Sequence, residues 1–273
     1  MDRSLKLIFV CVLFVLSQNI FAQVFKPLSS SKIPGQIGCV SSDAYGFIYL
    51  TDHSGNIYKL DSLGKQFVLA SPPRRGQITS IEATRNVNIF VFYSDYQVYY
   101  YYDRFLMQSQ TLSFPSALVG FARIATPSLD QNIWLVDDQD FSLKKLNSKY
   151  YTIDINTPLD LIIDPEVYNM NCMREYQNLL FINDANSGIL IFDNMGNYKT
   201  RIPVTGLTYF SFYGDNLVFV KDGCMHIMNI YTYKEQKYTN DLFKGASVAI
   251  LTNKRLHLIQ GDTLLIYQFE ESK

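Results

Sequence analysis

The chain has 273 residues, 48% of them hydrophobic, 15% aromatic and only 18% charged, with a net charge of −1. That is enough apolar chain to bury a large core, and an all-β fold of this length can be one domain. A charge so close to neutral excludes the basic footprint of a nucleic-acid-binding protein.

Residues 1–22 read as a secretory leader. Arg3 and Lys6 make a basic start, and residues 7–16 form a ten-residue apolar core, too short to span a membrane. Small Ala22 ends the segment Ile20-Phe21-Ala22, a plausible cleavage point. No cysteine follows the apolar core, so no lipid attachment is expected. Cleavage leaves residues 23–273 as one domain with 22 basic and 24 acidic residues and no membrane span of its own. The expected place is the periplasm or the outer membrane. Of the basic residues, Arg74-Arg75 is the one pair with an exposed look.

From residue 48 onward one pattern recurs six times: an apolar strand, a polar turn with Asp or Asn, and a second apolar strand. The copies are 48–61, 89–103, 133–147, 179–193, 217–230 and 256–269, starting 41, 44, 46, 38 and 39 residues apart. A period of about 40 to 45 residues marks a four-stranded propeller blade. No long 3.6-residue periodicity follows residue 24, which argues against an α/β fold. The expected fold is therefore an all-β, six-bladed β-propeller. Residues 48–64 lie over 180–196 without a gap, aligning Asp52 with Asp184, Asp61 with Asp193 and Gly64 with Gly196. The last copy leaves too few residues for an outer strand. Closing a ring needs every sheet edge paired, so residues 24–33 are expected to complete blade six.

Cys39, Cys172 and Cys224 remain after the leader. Cys39 and Cys172 precede the matched strands of blades one and four, which puts them on opposite sides of the channel. No intrachain disulfide is expected between sites so far apart. The two are read as small buried hydrophobes.

The turns between the second and third strands hold Asp52, Asp95, Asp137, Asp138, Asp140, Asp184, Asp222 and Asp262. Each Asp can cap its own hairpin. Asp137, Asp138 and Asp140 exceed a turn's needs and offer either a rim for a basic partner or three oxygens for calcium. The spacing lacks the Gly and distal Glu of an EF-hand, so no metal is assigned. His53, His226 and His257 show no metal-ligand spacing. Neither a Gly-x-Ser-x-Gly elbow nor a phosphate-binding Gly-rich loop is present, and no cofactor is expected. Glu82, Arg123 and Arg174 fall on inner strands, where they either hold an anionic ligand in the channel or fill its wall as ion pairs. The run Tyr99, Tyr100, Tyr101 and Tyr102, followed by Phe105, alternates along a strand. One pair packs between blades; the other needs a further neighbour, water or a partner.

The motif Ile-Tyr-Leu-Thr-Asp-x-x-Gly-Asn-Ile-Tyr-Lys-Leu-Asp-x-x-Gly at 48–64 resembles exported six-bladed propellers of the NHL and TolB-like kind, Bacteroidota type. Blades two, three and five depart from it, as in Asp103-Arg-Phe-Leu. The resemblance implies two functional classes. One is a non-enzymatic protein-binding scaffold, an accessory subunit of an outer-membrane or periplasmic complex, on the tyrosine and carboxylate blades. The other is a calcium-dependent hydrolase or lactonase, or a glycan-binding propeller. Such an enzyme holds its metal in the channel with Glu, Asn and Asp, and here the inner strands offer only Glu82 and Asn171.

Overall fold

A computed structural model describes residues 25–72, 75–84, 88–252 and 254–270, with the backbone alone at 109 and 110. Residues 1–22, read as a leader from the sequence, and Val24 and Arg74 lie outside the described residues.

The strands form six four-stranded antiparallel sheets. Blade one runs from strand Ile37–Ser42 to Gln66–Ala70, blade two from Ser80–Glu82 to Gln108–Ser113, and blade three from Ala122–Pro127 to Thr152–Pro158. Blade four runs from Met170–Tyr176 to Tyr198–Ile202, and blade five from Ser211–Tyr213 to Glu235–Thr239. Blade six holds Val248–Thr252, Arg255–Gln260, Thr263–Gln268 and, on its outer edge, Lys26–Lys32. The N-terminal strand thus completes the last blade, and the fold is a six-bladed propeller. Each repeat read from the sequence supplies the second and third strands of one blade.

Those strands are buried on both faces because every blade is sandwiched between two others. Ile48–Asp52, Ile89–Tyr93 and Ile133–Asp137 are buried at every position. One apolar cluster joins Ile124, Trp134 and Val136 of blade three to Leu180, Ile182 and Phe192 of blade four. Outer strands alternate, as Thr152–Pro158 does between exposed and half-buried positions.

The closure repeats an ordinary seam between blades. Thr157 of blade three donates from its hydroxyl to the Gly196 carbonyl of blade four at 2.9 Å. Ser31 of the N-terminal strand does the same to Gly64 of blade one at 2.6 Å. Gly64 sits at φ +80°, and a Cβ there would stand 2.6 Å from the Ser31 hydroxyl. Glycine is needed at that point both for backbone and for space.

His257 is fully buried in blade six. Its ring nitrogens lie 3.4 Å from the Ser62 carbonyl and 3.4 Å from the Thr252 hydroxyl. Burial pulls its pKa down to about 4 from the ordinary 6.5. The unfolded chain therefore binds a proton that the fold refuses, and stability falls as pH drops through that window. The expected loss from this group is about 3 kcal/mol between neutral pH and about pH 4. Replacing His257 with Gln should flatten this slope in urea midpoints measured across that range. An unaltered slope would contradict the assignment.

Candidate functional site

An antiparallel meander puts alternate turns at opposite ends, so the ring has two distinct faces. Turns between second and third strands, together with the segments joining blades, build one face. Turns between first and second, and between third and fourth strands, build the other. Inner strands of five blades, with Thr208 and Tyr209 just before the inner strand of blade five, line a funnel of about 740 Å³ that opens on the first face, among Gln36, Gln77, Phe121, Thr208 and Ser247.

Arg174 closes the funnel's floor. From blade four its guanidinium crosses the ring to donate to the Val40 carbonyl of blade one at 2.8 Å. It lies 3.4 Å from the Glu82 carboxylate of blade two and 4.9 Å over the Tyr209 ring beside blade five. Burial opposes its charge, but Tyr209 and Glu82 outweigh burial and hold the proton more tightly than usual. Glu82 also accepts the Thr84 amide at 2.9 Å and the Ser41 hydroxyl at 3.4 Å. The Tyr209 hydroxyl is buried without a hydrogen-bond partner.

Cys39 and Cys172 are free thiols lining the funnel, and Cys224 is a free buried thiol. Burial, with Cys172 nearby, pushes the Cys39 thiol up to about 12. The two lie close enough to sense each other's charge. They line the funnel from the inner strands of blades one and four, where the repeat places them.

Arg123 does not join Glu82 and Arg174. Its Nε donates to Asp138 at 2.8 Å, its second nitrogen meets the other carboxylate oxygen at 2.5 Å, and its guanidinium lies 5.0 Å over the Tyr168 ring. Tyr168 donates its hydroxyl to the same carboxylate at 2.8 Å. Asp137 and Asp140 share the Lys144 ammonium at 2.7 Å each. Asp137 also accepts the backbone amides of Gly120, Phe121 and Gln139. Burial pushes its carboxyl up, yet Lys144 and these amides outweigh burial and hold it below the ordinary value. The three carboxylates are thus tied to cations rather than offered as an open acidic rim. Among the described residues no group of three or more His, Cys, Asp or Glu could hold a metal ion. Asn171 turns its amide to the Leu207 carbonyl at 3.0 Å.

The tyrosine run packs on both sides. Tyr99 and Tyr101 meet Phe114, Ala125 and Ile133 toward blade three. Tyr100 and Tyr102 meet Tyr49, Ile57 and Ala70 toward blade one. Tyr99 and Tyr102 are buried, while Phe105 in the following turn is 51% exposed. Both pairs find a blade because a propeller sheet has neighbours on each face. His226 lies in strand Cys224–Asn229 rather than in a turn, stacked 4.9 Å from Phe219 and paired with Glu235. His53 is exposed at the funnel mouth.

Two surface features had no motif to reveal them. The first is residues 159–169, joining blades three and four on the funnel face. Leu159 and Ile163 are buried in the seam, whereas Leu161 is 94% and Val167 60% exposed. Asp160, Asp164 and Glu166 flank them, all exposed. The second is an asymmetry. Of the eighteen exposed large apolar side chains among the described residues, ten sit in turns of the face opposite the funnel and four on the funnel face.

No helix among the described residues is long and apolar enough to cross a membrane. No protein-family model and no curated protein sequence matches the chain. Solved structures share its fold. BamB from Moraxella catarrhalis matches with a TM-score of 0.51 at 10% identity, over 90% of this chain and 100% of that one. The Pan2 WD40 domain of Neurospora crassa matches at 0.61 and 9% identity, over 93% and 98%. A catalytically inactive virginiamycin B lyase from Staphylococcus aureus, with quinupristin, matches at 0.62 and 10% identity, over 90% and 100%. At 9–10% identity the likeness is one of fold.

Proposed function

We propose that this protein is a non-enzymatic, protein-binding scaffold of the bacterial cell envelope, exported and held in a periplasmic or outer-membrane complex. The resemblance of residues 48–64 to exported NHL and TolB-like propellers supports that place. The likeness to BamB and a WD40 domain fits protein binding, and the likeness to a lyase is one of fold.

The observation that carries the reading is the 159–169 segment. Folding does not bury Leu161 and Val167, although Leu159 and Ile163 pin the segment on either side of Leu161. Apolar side chains held out by a fixed loop lose little entropy on binding, which is how a hot spot gains affinity. The neighbouring Asp160, Asp164 and Glu166 suit a partner with basic residues around an apolar pocket. The tyrosine and carboxylate residues serve this surface from behind. Tyr99, Tyr100, Tyr101 and Tyr102 stiffen blade two, and Asp137, Asp138 and Asp140 fix the turn beside Tyr168.

The test is affinity capture from the native envelope, with partners identified by mass spectrometry. The wild type should retain a defined partner, and Leu161→Asp with Val167→Asp should lose it at unchanged melting temperature. A protein that purifies alone would defeat the scaffold reading.

A further inference from the structure

The face opposite the funnel repeats one turn in five blades. Asp61, Asp103 and Asp193 each accept the backbone amides two and four positions later, at 2.8–2.9 Å. Asn147 and Asn229 accept those two and three positions later, at 2.9–3.1 Å. This side-chain capping curls the acceptor inward and turns the next large residue outward. The residues so presented are Leu63, Phe105, Tyr150, Met195 and Tyr231, between 47% and 67% exposed.

A second observation concerns backbone cost. Each turn holds one residue in the left-handed region: Gly64, Leu106, Tyr151, Gly196 and Tyr233. Glycine fits there freely, while a bulky residue is strained. Tyr151 and Tyr233 keep aromatic rings in that conformation, and both rings are about half exposed. They add to the apolar surface that these turns present.

Charge completes the pattern. An exposed Lys or Arg lies within four positions of every tip: Lys65, Arg104, Lys149, Lys199 and Lys234. Arg104 sits 4.7 Å over the Phe105 ring and Lys149 5.0 Å over Tyr150. Of the acids on this face, Asp61, Asp103 and Asp193 are turned onto the amides they cap, Asp43 is buried in hydrogen bonds to Tyr45, Phe47 and Tyr49, Asp130 is paired with Lys145 at 2.7 Å, and exposed Asp215 accepts the Gln177 amide at 2.9 Å.

We infer that this face docks on an anionic lipid bilayer surface. Equivalent turns of a closed ring end at one level, so the five tips lie near a plane. They are spread around five of six blades rather than gathered in one patch. A bilayer is the occupant flat and wide enough to meet all of them. Aromatic and aliphatic tips enter the headgroup boundary, and the neighbouring cations meet lipid phosphates. The inference uses the face opposite residues 159–169 and stands independently of the scaffold reading.

Trp134 is the chain's single tryptophan and fully buried, so an introduced tryptophan reports its own position. The full chain carrying Phe105→Trp, or separately Tyr150→Trp, is mixed with vesicles of phosphatidylglycerol and phosphatidylethanolamine. Emission should move to the blue and be quenched by brominated acyl chains, while Leu161→Trp on the funnel face stays unshifted. Replacing Arg104 and Lys149 with Gln should weaken vesicle binding about tenfold or more at low ionic strength. Raising salt to about 0.5 M should do the same. Unshifted emission at both rim positions overturns the inference, as does an equal shift at Leu161→Trp. A rim shift that appears only with envelope protein, and not with lipid, assigns the face to a protein partner and also overturns it.

Discussion

Removal of Lys26–Lys32 is expected to lower the melting temperature by about 10–20 °C, from a stability loss of about 5 kcal/mol. The strand pairs along its length with Thr263–Gln268, and its departure uncovers Leu264 and Ile266, both fully buried in the ring. Each loses on the order of 2 kcal/mol of apolar burial. The ladder hydrogen bonds add to that. So do the Lys32–Asp262 ion pair at 3.1 Å and the Ser29 and Ser31 bonds to blade one. A synthetic peptide of residues 24–34 should restore the melting point by strand addition. Circular dichroism melts of the wild type, the deletion and the deletion with peptide decide the matter. An unchanged melting point for the deletion would sink the closure.

Arg174→Ala is expected to cost about 3–5 kcal/mol, because it leaves the Glu82 carboxylate in the closed floor without its cation. It also strips the Val40 carbonyl of its donor. Arg174→Met combined with Glu82→Gln should recover most of that loss, since a neutral pair of similar volume avoids the buried lone charge. Urea unfolding of the three proteins is the measurement. If Arg174→Ala unfolds with the wild type, the bridge across the ring holds nothing.

Stability and surface role separate cleanly in this molecule. The groups that look most chemical in the sequence are the ones the fold consumes. Lys144 neutralises Asp137 and Asp140, Arg123 neutralises Asp138, and Arg174 neutralises Glu82. Among what remains outward are apolar side chains placed by turns and one interblade loop.

The repeat, the blade count and the role of the N-terminal strand were legible because strand alternation and Asx turns act over a few residues. Gly64 and Gly196 announced two of the five outer turns. The other three were hidden, because Leu106, Tyr151 and Tyr233 take the left-handed conformation that glycine usually fills. The signal that survives is Asp or Asn followed two or three positions later by a large apolar residue. Partner choice among charges was not legible. Arg123 and Arg174 look alike on inner strands, yet one turns to its own blade's Asp138 and the other crosses the ring to Val40. Local pattern thus determined which residues form strands, which form turns and that six blades must close on the N-terminal strand. Tertiary structure alone decided which charges meet, that both faces of the tyrosine ladder are covered, and which apolar tips stay in water. Those outcomes depend on distances between residues far apart in the chain, 134 positions for Arg174 and Val40, set by the curvature of the ring rather than by neighbours in the chain.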